Sequence, residues 1–178
     1  MTNQLEQLYQ QVILDHARSA HGRGLAAVVP DAVGHGHGES HQVNPTCGDE
    51  VTLRVALTGS GTTAATVVER VSWEGQGCSI SQASLSVLTD LVTGRSADEA
   101  EQLGETFRAL MASQGKGLDE SLEDELGDAT AFTGVSQFPA RIKCALLGWA
   151  ALRDALARAG AASATSAPMT QDLPKEDA

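Results

Sequence analysis

Three cysteines, Cys47, Cys78 and Cys144, carry most of the chemical potential of this chain, and each stands at a boundary marked by glycine or proline. In Asn44-Pro45-Thr46-Cys47-Gly48-Asp49 a thiol and a carboxyl flank one glycine, so a tight turn there brings both to the same ion. Cys78 follows Gly75-Gln76-Gly77 and opens an apolar helical stretch, while Cys144 follows Phe138-Pro139-Ala140-Arg141-Ile142-Lys143. Three thiolates and one carboxylate, from Cys47, Asp49, Cys78 and Cys144, make a tetrahedral donor set that suits zinc. A zinc ion and a helix N-terminus both favour the thiolate, and Cys78 is placed to feel both. Beside Cys144, Arg141 and Lys143 add positive charge that partly offsets four anionic ligands around one dication. Arg141 is read as functional; Lys143 reads equally well as a solvated helix residue. Free cysteine is among the most buried residue types, so simple packing is the competing account of each cysteine taken singly. Their common placement at element boundaries, where ligands converge from separate parts of a fold, favours a shared metal site.

The histidines are a second set. Gly34-His35-Gly36-His37-Gly38, with His41 close by, has two imidazoles one residue apart that could bind a transition metal. No other motif frames them and glycines flank both sides, so a mobile surface loop is preferred over a dedicated site. His16 falls on or beside the apolar stripe of a helix, where an imidazole packs its body and bonds through its edge; a structural role is preferred over ligation.

The elements that must position these groups follow from periodicity. Leu5, Leu8, Tyr9, Val12, Ile13 and His16 recur at three- and four-residue spacing and predict an amphipathic helix over 3–18. Val51, Leu53, Val55 and Leu57 alternate with Thr52, Arg54 and Ala56, predicting a strand with one buried face. Gly59-Ser60-Gly61 turns the chain into a second strand over 65–73, an antiparallel hairpin, with Trp73 as core or sheet-edge packing. Ile80, Ser84, Val87, Leu88 and Leu91 share a helical face after Cys78, ending near Gly94. Ser96 and Glu99 form a capping box for a helix over 97–113. Residues 114–137 read as an acidic, glycine-punctuated connection with one short helical turn. A last helix begins after Pro139 and runs to about Ala159, its stripe made by Ile142, Ala145, Trp149, Leu152 and Leu156. Residues 160–178 have no periodicity and are expected to be a disordered tail after a single domain over 1–159.

At 178 residues and 42% hydrophobic content the chain can build one sizeable core. A formal charge of −11 argues against nucleic acid or an anionic membrane as partner, and a basic protein patch is the more natural one. No signal-like start or membrane-length apolar run is present, and an odd cysteine set suits a reducing compartment, so a cytoplasmic location is expected.

Four ordered motifs carry a resemblance. Leu8-Tyr9-Gln10-Gln11-Val12-Ile13-Leu14-Asp15-His16, the Asn44 to Asp49 segment, Gly75-Gln76-Gly77-Cys78-Ser79-Ile80-Ser81-Gln82-Ala83-Ser84, and Phe138 to Ala145 together resemble the SufU branch of the IscU/NifU N-terminal family over about residues 5–158. The resemblance implies a compact α+β fold, a small and mostly antiparallel three-stranded sheet covered by about five helices, whose third strand would come from the weak region between Leu25 and Asn44. It implies Cys47, Asp49, Cys78 and Cys144 as zinc ligands and Cys47 as sulfur acceptor. A closed four-ligand site would need one ligand to leave before transfer, with the partner supplying a replacement. Scaffold members of the family build an iron–sulfur cluster on the cysteines and typically carry histidine before the last one. Here Lys143 stands there, and the long acidic segment between Cys78 and Cys144 resembles the SufU insertion. Both features point to a zinc-dependent sulfurtransferase that accepts persulfide sulfur from a SufS-type cysteine desulfurase and passes it to downstream SUF scaffold components. An iron–sulfur scaffold, and a purely structural zinc module, are the alternatives. The Gly34–Gly38 expansion and the segment from Ala17 to His21 depart from the family pattern.

Overall fold

Val51, Leu53, Val55 and Leu57 are all buried, and the intervening residues of β2 (Asp49–Thr58) face the other side, as a two-residue period dictates. β2 is the centre of a three-stranded antiparallel sheet of order β1-β2-β3, flanked by β1 (His35–Asn44) and β3 (Val67–Gln76). β1 pairs with β2 from His35 opposite Thr58 to Asn44 opposite Asp49, and the β2–β3 register shifts at Ala56/Leu57. The computed structural model describes residues 2–28, 35–59 and 66–165, with side chains described over 4–28, 35–59 and 66–160. The expected Gly59–Gly61 turn lies largely outside the described residues, as does the start of the second strand at Ala65.

The helices are α1 (Thr2–Ser19), α2 (Ser79–Val92), α3 (Ala97–Ala112), α4 (Glu120–Leu126) and α5 (Pro139–Thr165). α5 packs along β1 and β2, while α1 packs on α2. α3 starts as its sequence requires: Ser96 Oγ accepts from the Glu99 amide and Glu99 Oε2 accepts from the Ser96 amide. The helical layer is knit by aromatic contacts, with Phe107 stacked on Trp149 at 5.0 Å and edge-on to Phe132 at 5.5 Å. Trp73 is fully buried, and its indole N–H donates to the His21 carbonyl. Among the described residues no helix is long and apolar enough to cross a membrane.

Three expectations are corrected. The glycine–histidine stretch is the edge strand β1 rather than a mobile loop over its described part: Gly36, Gly38 and Ser40 turn inward, while His35, Glu39 and His41 turn outward. The inward face has almost no side chain because α5 lies against it; a Cβ on Gly38 would fall 1.8 Å from the Ala155 carbonyl oxygen. Residues 114–137 hold more structure than one helical turn, since α4 is followed by a 3₁₀ segment (Gly127–Gln137) that buries Ala129, Ala131, Phe132 and Val135. α5 extends to Thr165, past the expected Ala159, and the rest of the expected tail, 166–178, lies outside the described residues.

Candidate metal centre

The hairpin between β1 and β2 builds half of the centre. Asn44 and Asp49 are the last paired residues, leaving Pro45-Thr46-Cys47-Gly48 as the loop. Asn44 closes it twice: its Oδ1 accepts from the Thr46 amide at 3.1 Å and its carbonyl from the Gly48 amide at 2.9 Å. Gly48 takes φ 76°, a left-handed conformation that favours glycine. Cys47 is thereby exposed at the tip, while Asp49, the next residue after Gly48, turns into the protein and is 5% exposed.

α5 supplies the other half. Pro139 occupies its first position, where a missing N–H costs nothing, and the helix carries Cys144 inward to 5% exposure. Cys47 Sγ and Cys144 Sγ are 3.4 Å apart, and donor atoms of Cys47, Asp49 and Cys144 all lie within 4.8 Å of one another. Asn44 Nδ2 approaches Cys144 Sγ at 4.0 Å. Burial, hydrogen bonds with Cys47 and Asp49, and the negative charges of Cys78 and Asp49 push the Cys144 thiol well above its usual range.

Cys78 is exposed and occupies the N-cap of α2 with no side-chain capping bond, so its thiol is free of that duty. It does not share the mutual 4.8 Å spacing of the other three. Its neighbour Gly77 nevertheless lies hard against Asp49, since a Cβ there would come within 3.0 Å of the carboxyl carbon. Cys78 therefore enters from the same end of the molecule.

A cation fits these residues. Asp49 Oδ2 is buried and has no hydrogen-bond partner, an arrangement that costs free energy until something positive meets it. The groups beside it are soft sulfur donors, and thiolate with carboxylate at tetrahedral number is a zinc set. Arg141 stands three residues before Cys144 in the first turn of α5, exposed, with its guanidinium 5.1 Å from the Phe138 ring. Lys143 is exposed. The structure does not bring His35, His37 or His41 to the cysteines: His35 Nδ1 meets Glu69 Oε2 at 3.5 Å, and His41 Nδ1 meets Thr52 Oγ1 at 2.9 Å. Asn44 is the residue whose role the sequence concealed. The signal available was an asparagine two residues before a turn amide, the pattern of an Asx turn.

A model of the NifU-like N terminal domain matches residues 8–157. The chain belongs to this family. It is 40% identical over 156 residues to the zinc-dependent sulfurtransferase SufU of Bacillus subtilis (strain 168), covering 86% of this chain and 92% of that relative. It is 36% identical over 175 residues to the iron–sulfur cluster assembly scaffold protein IscU of Streptococcus pyogenes serotype M1, covering 98% and 96%. Among solved structures it is similar to a putative iron–sulfur cluster assembly scaffold protein for the SUF system from Fervidobacterium islandicum AW-1, at 32% identity and TM-score 0.56 over 82% of this chain and 94% of the other. The three-stranded sheet and five helices are the fold of this family, and the family accounts for β1, whose composition hid it.

Proposed function

We propose that this protein is a zinc-dependent sulfur carrier of iron–sulfur cluster assembly, taking persulfide sulfur from a SufS-type cysteine desulfurase and handing it to downstream SUF scaffold components. It would do so in the reducing cytoplasm, where free thiols persist. The observation that carries this reading is the contrast within one site: Cys47 is exposed at a hairpin tip, while Asp49 and Cys144 hold the base of the site in the interior. An acceptor thiol must be reached by a partner, and its supporting ligands must not.

Cys47, Asp49, Cys78 and Cys144 would hold the ion. Bound there, zinc would keep its sulfur ligands deprotonated at neutral pH. Cys47 sulfur then attacks the terminal sulfur of the desulfurase persulfide. The S–S bond of the donor breaks, the electron pair leaves with the desulfurase cysteine as thiolate, and Cys47 carries the new persulfide. No oxidant is needed, because the transferred sulfur keeps its oxidation level. Arg141, one turn before Cys144, would contribute positive charge to the rim as the anionic donor arrives. Lys143 stands where scaffold members of the family typically have histidine, which supports carrier over scaffold.

A second reading, an iron–sulfur scaffold on the same cysteines, is favoured by the name of the Streptococcus pyogenes relative. One experiment separates them. Zinc-loaded protein is incubated with a SufS-type desulfurase and cysteine, then examined by intact-mass spectrometry and peptide mapping. Reductant-labile sulfur on Cys47, absent in Cys47→Ser, is expected. Absence of added sulfur with an active desulfurase overturns the carrier reading, and anaerobic reconstitution of an oxygen-labile coloured cluster would then establish the scaffold.

A further inference from the structure

A second cluster of metal-ligating side chains lies apart from the cysteines, where the end of α1 meets α2 and the 3₁₀ segment. Donor atoms of His16, His21 and Asp90 all lie within 4.8 Å of one another. His21 Nδ1 is 2.7 Å from Asp90 Oδ2, and His16 Nε2 is 3.1 Å from Asp128 Oδ2. The two imidazoles meet edge to face with centroids 5.7 Å apart. Two histidines and two carboxylates thus converge from α1, the turn that follows it, α2 and the first turn of the 3₁₀ segment.

We propose that this cluster is a second metal site, taking a divalent transition ion of the zinc class on His16, His21 and Asp90, with Asp128 as fourth ligand. The donor types are those that zinc accepts, and a nitrogen–oxygen set lacking sulfur distinguishes it chemically from the cysteine centre. Tetrahedral zinc with bonds near 2.0–2.2 Å holds its donors about 3.3–3.6 Å apart, so the spacing of His16, His21 and Asp90 within 4.8 Å needs only small rotations of the exposed His21 and Asp90 about the buried His16, and Asp128 already lies 3.1 Å from His16 Nε2. Each imidazole already faces a carboxylate across a distance that a shared proton now spans. An ion replaces those protons, and its two positive charges balance the two carboxylates.

The site is also braced. Ser86 Oγ lies 2.9 Å from His16 Nδ1 and accepts from the His21 amide at 3.0 Å, which fixes the buried ring of His16 with its Nε2 toward Asp128. Metal-bound histidines characteristically hold their second ring nitrogen in this way. Ala20 takes φ 45°, and this turn folds His21 back toward the helix that carries His16. Because the ligands come from separate elements, an ion there would pin the end of α1 to α2 and to the 3₁₀ segment.

Cobalt(II) titration of the metal-free, full-length protein tests this by absorption. Ions bound by cysteine give thiolate-to-cobalt charge transfer, whereas an imidazole–carboxylate site adds d–d absorption alone. The expected result is two classes of site in the native chain. In His21→Ala and in Asp90→Asn, both exposed positions, the charge-transfer band should persist while affinity for the second class falls by more than about tenfold. Saturation of the native chain after the cysteine site alone, or a second class with unchanged affinity in both variants, overturns the proposal. Loss of the charge-transfer band from the native chain would instead count against the cysteine centre, because the two signatures are independent.

Discussion

Cys47 Sγ stands 3.4 Å from Cys144 Sγ, one thiol exposed and the other buried, on a hairpin and a helix that are 97 residues apart in sequence at these positions. A disulfide needs about 2.05 Å, so a small movement of the hairpin tip suffices to join them. Metal-free protein treated with a mild thiol oxidant such as diamide should therefore form a Cys47–Cys144 crosslink ahead of any that includes Cys78. Zinc should suppress it by occupying both sulfurs. Non-reducing peptide mapping with and without zinc reads the outcome, and an even mixture of the three pairings would contradict the geometry.

Asp49 gives a prediction of opposite signs in two conditions. Its Oδ2 is buried without a partner, so the metal-free fold carries an uncompensated acceptor. Asp49→Asn should raise the stability of the metal-free protein by about 1–3 kcal/mol. The same change removes a proposed anionic ligand and should shrink the stabilisation gained on adding zinc, since binding free energy is folding free energy. Thermal unfolding in chelator and in zinc measures both. A variant less stable than native in chelator would show that the carboxylate is already satisfied without a cation.

Close approach of α5 to β1 rests on Gly38. A Cβ there would meet Ala155 and Ala159 backbone atoms at 1.8 Å and 2.8 Å, and backbone cannot swing aside as a side chain can. Gly38→Ala should cost about 1–3 kcal/mol or more by forcing the helix off the strand. Gly160, in the same helix with nothing within 4 Å of its Cβ position, is the control. Gly160→Ala should leave stability unchanged or raise it by up to about 1 kcal/mol through helix propensity. Equal effects in urea unfolding would rule out the close approach as the cause.

The same contact explains what the sequence could and could not say. β2 was legible because its inward face is Val51, Leu53, Val55 and Leu57, and α3 because Ser96 and Glu99 are a local signal. β1 has an equally regular alternation, but its inward members are Gly36, Gly38 and Ser40, chosen for what they leave out. A pattern search for apolar residues cannot register a face filled by the neighbouring helix. The 3₁₀ segment escaped for a related reason: Ala129, Ala131 and Phe132 pack without a 3.6-residue period. At the candidate metal centre, the structure brings together Cys47, Asp49 and Cys144, residue types that sequence alone could single out, while the closure of their turn by Asn44 depended on backbone geometry. Asp90 and Asp128, far from His16 and His21 in sequence, had no local signal.

Ser40 of the strand and Asp154 of the helix are coupled electrostatically, and the pH dependence of that coupling has a definite sign. The Ser40 hydroxyl, aided by Arg158 and Arg153, holds the Asp154 carboxyl below its ordinary value. A group depressed in the folded state favours folding once the unfolded carboxyl is ionised, and that contribution disappears as pH falls through the lower folded value. Ser40→Ala should therefore lower Tm at neutral pH, with the gap from native protein closing as the solution is taken through and below the carboxylate range. Because Asp154 is over a third exposed, added salt should screen the arginine contribution equally in both proteins and leave the gap itself largely unchanged. Melting curves from pH 7 to pH 3 in the presence of chelator isolate this contact from the metal centre. A gap that stays constant down to acid pH would assign the loss to packing of Ser40 rather than to its coupling with Asp154.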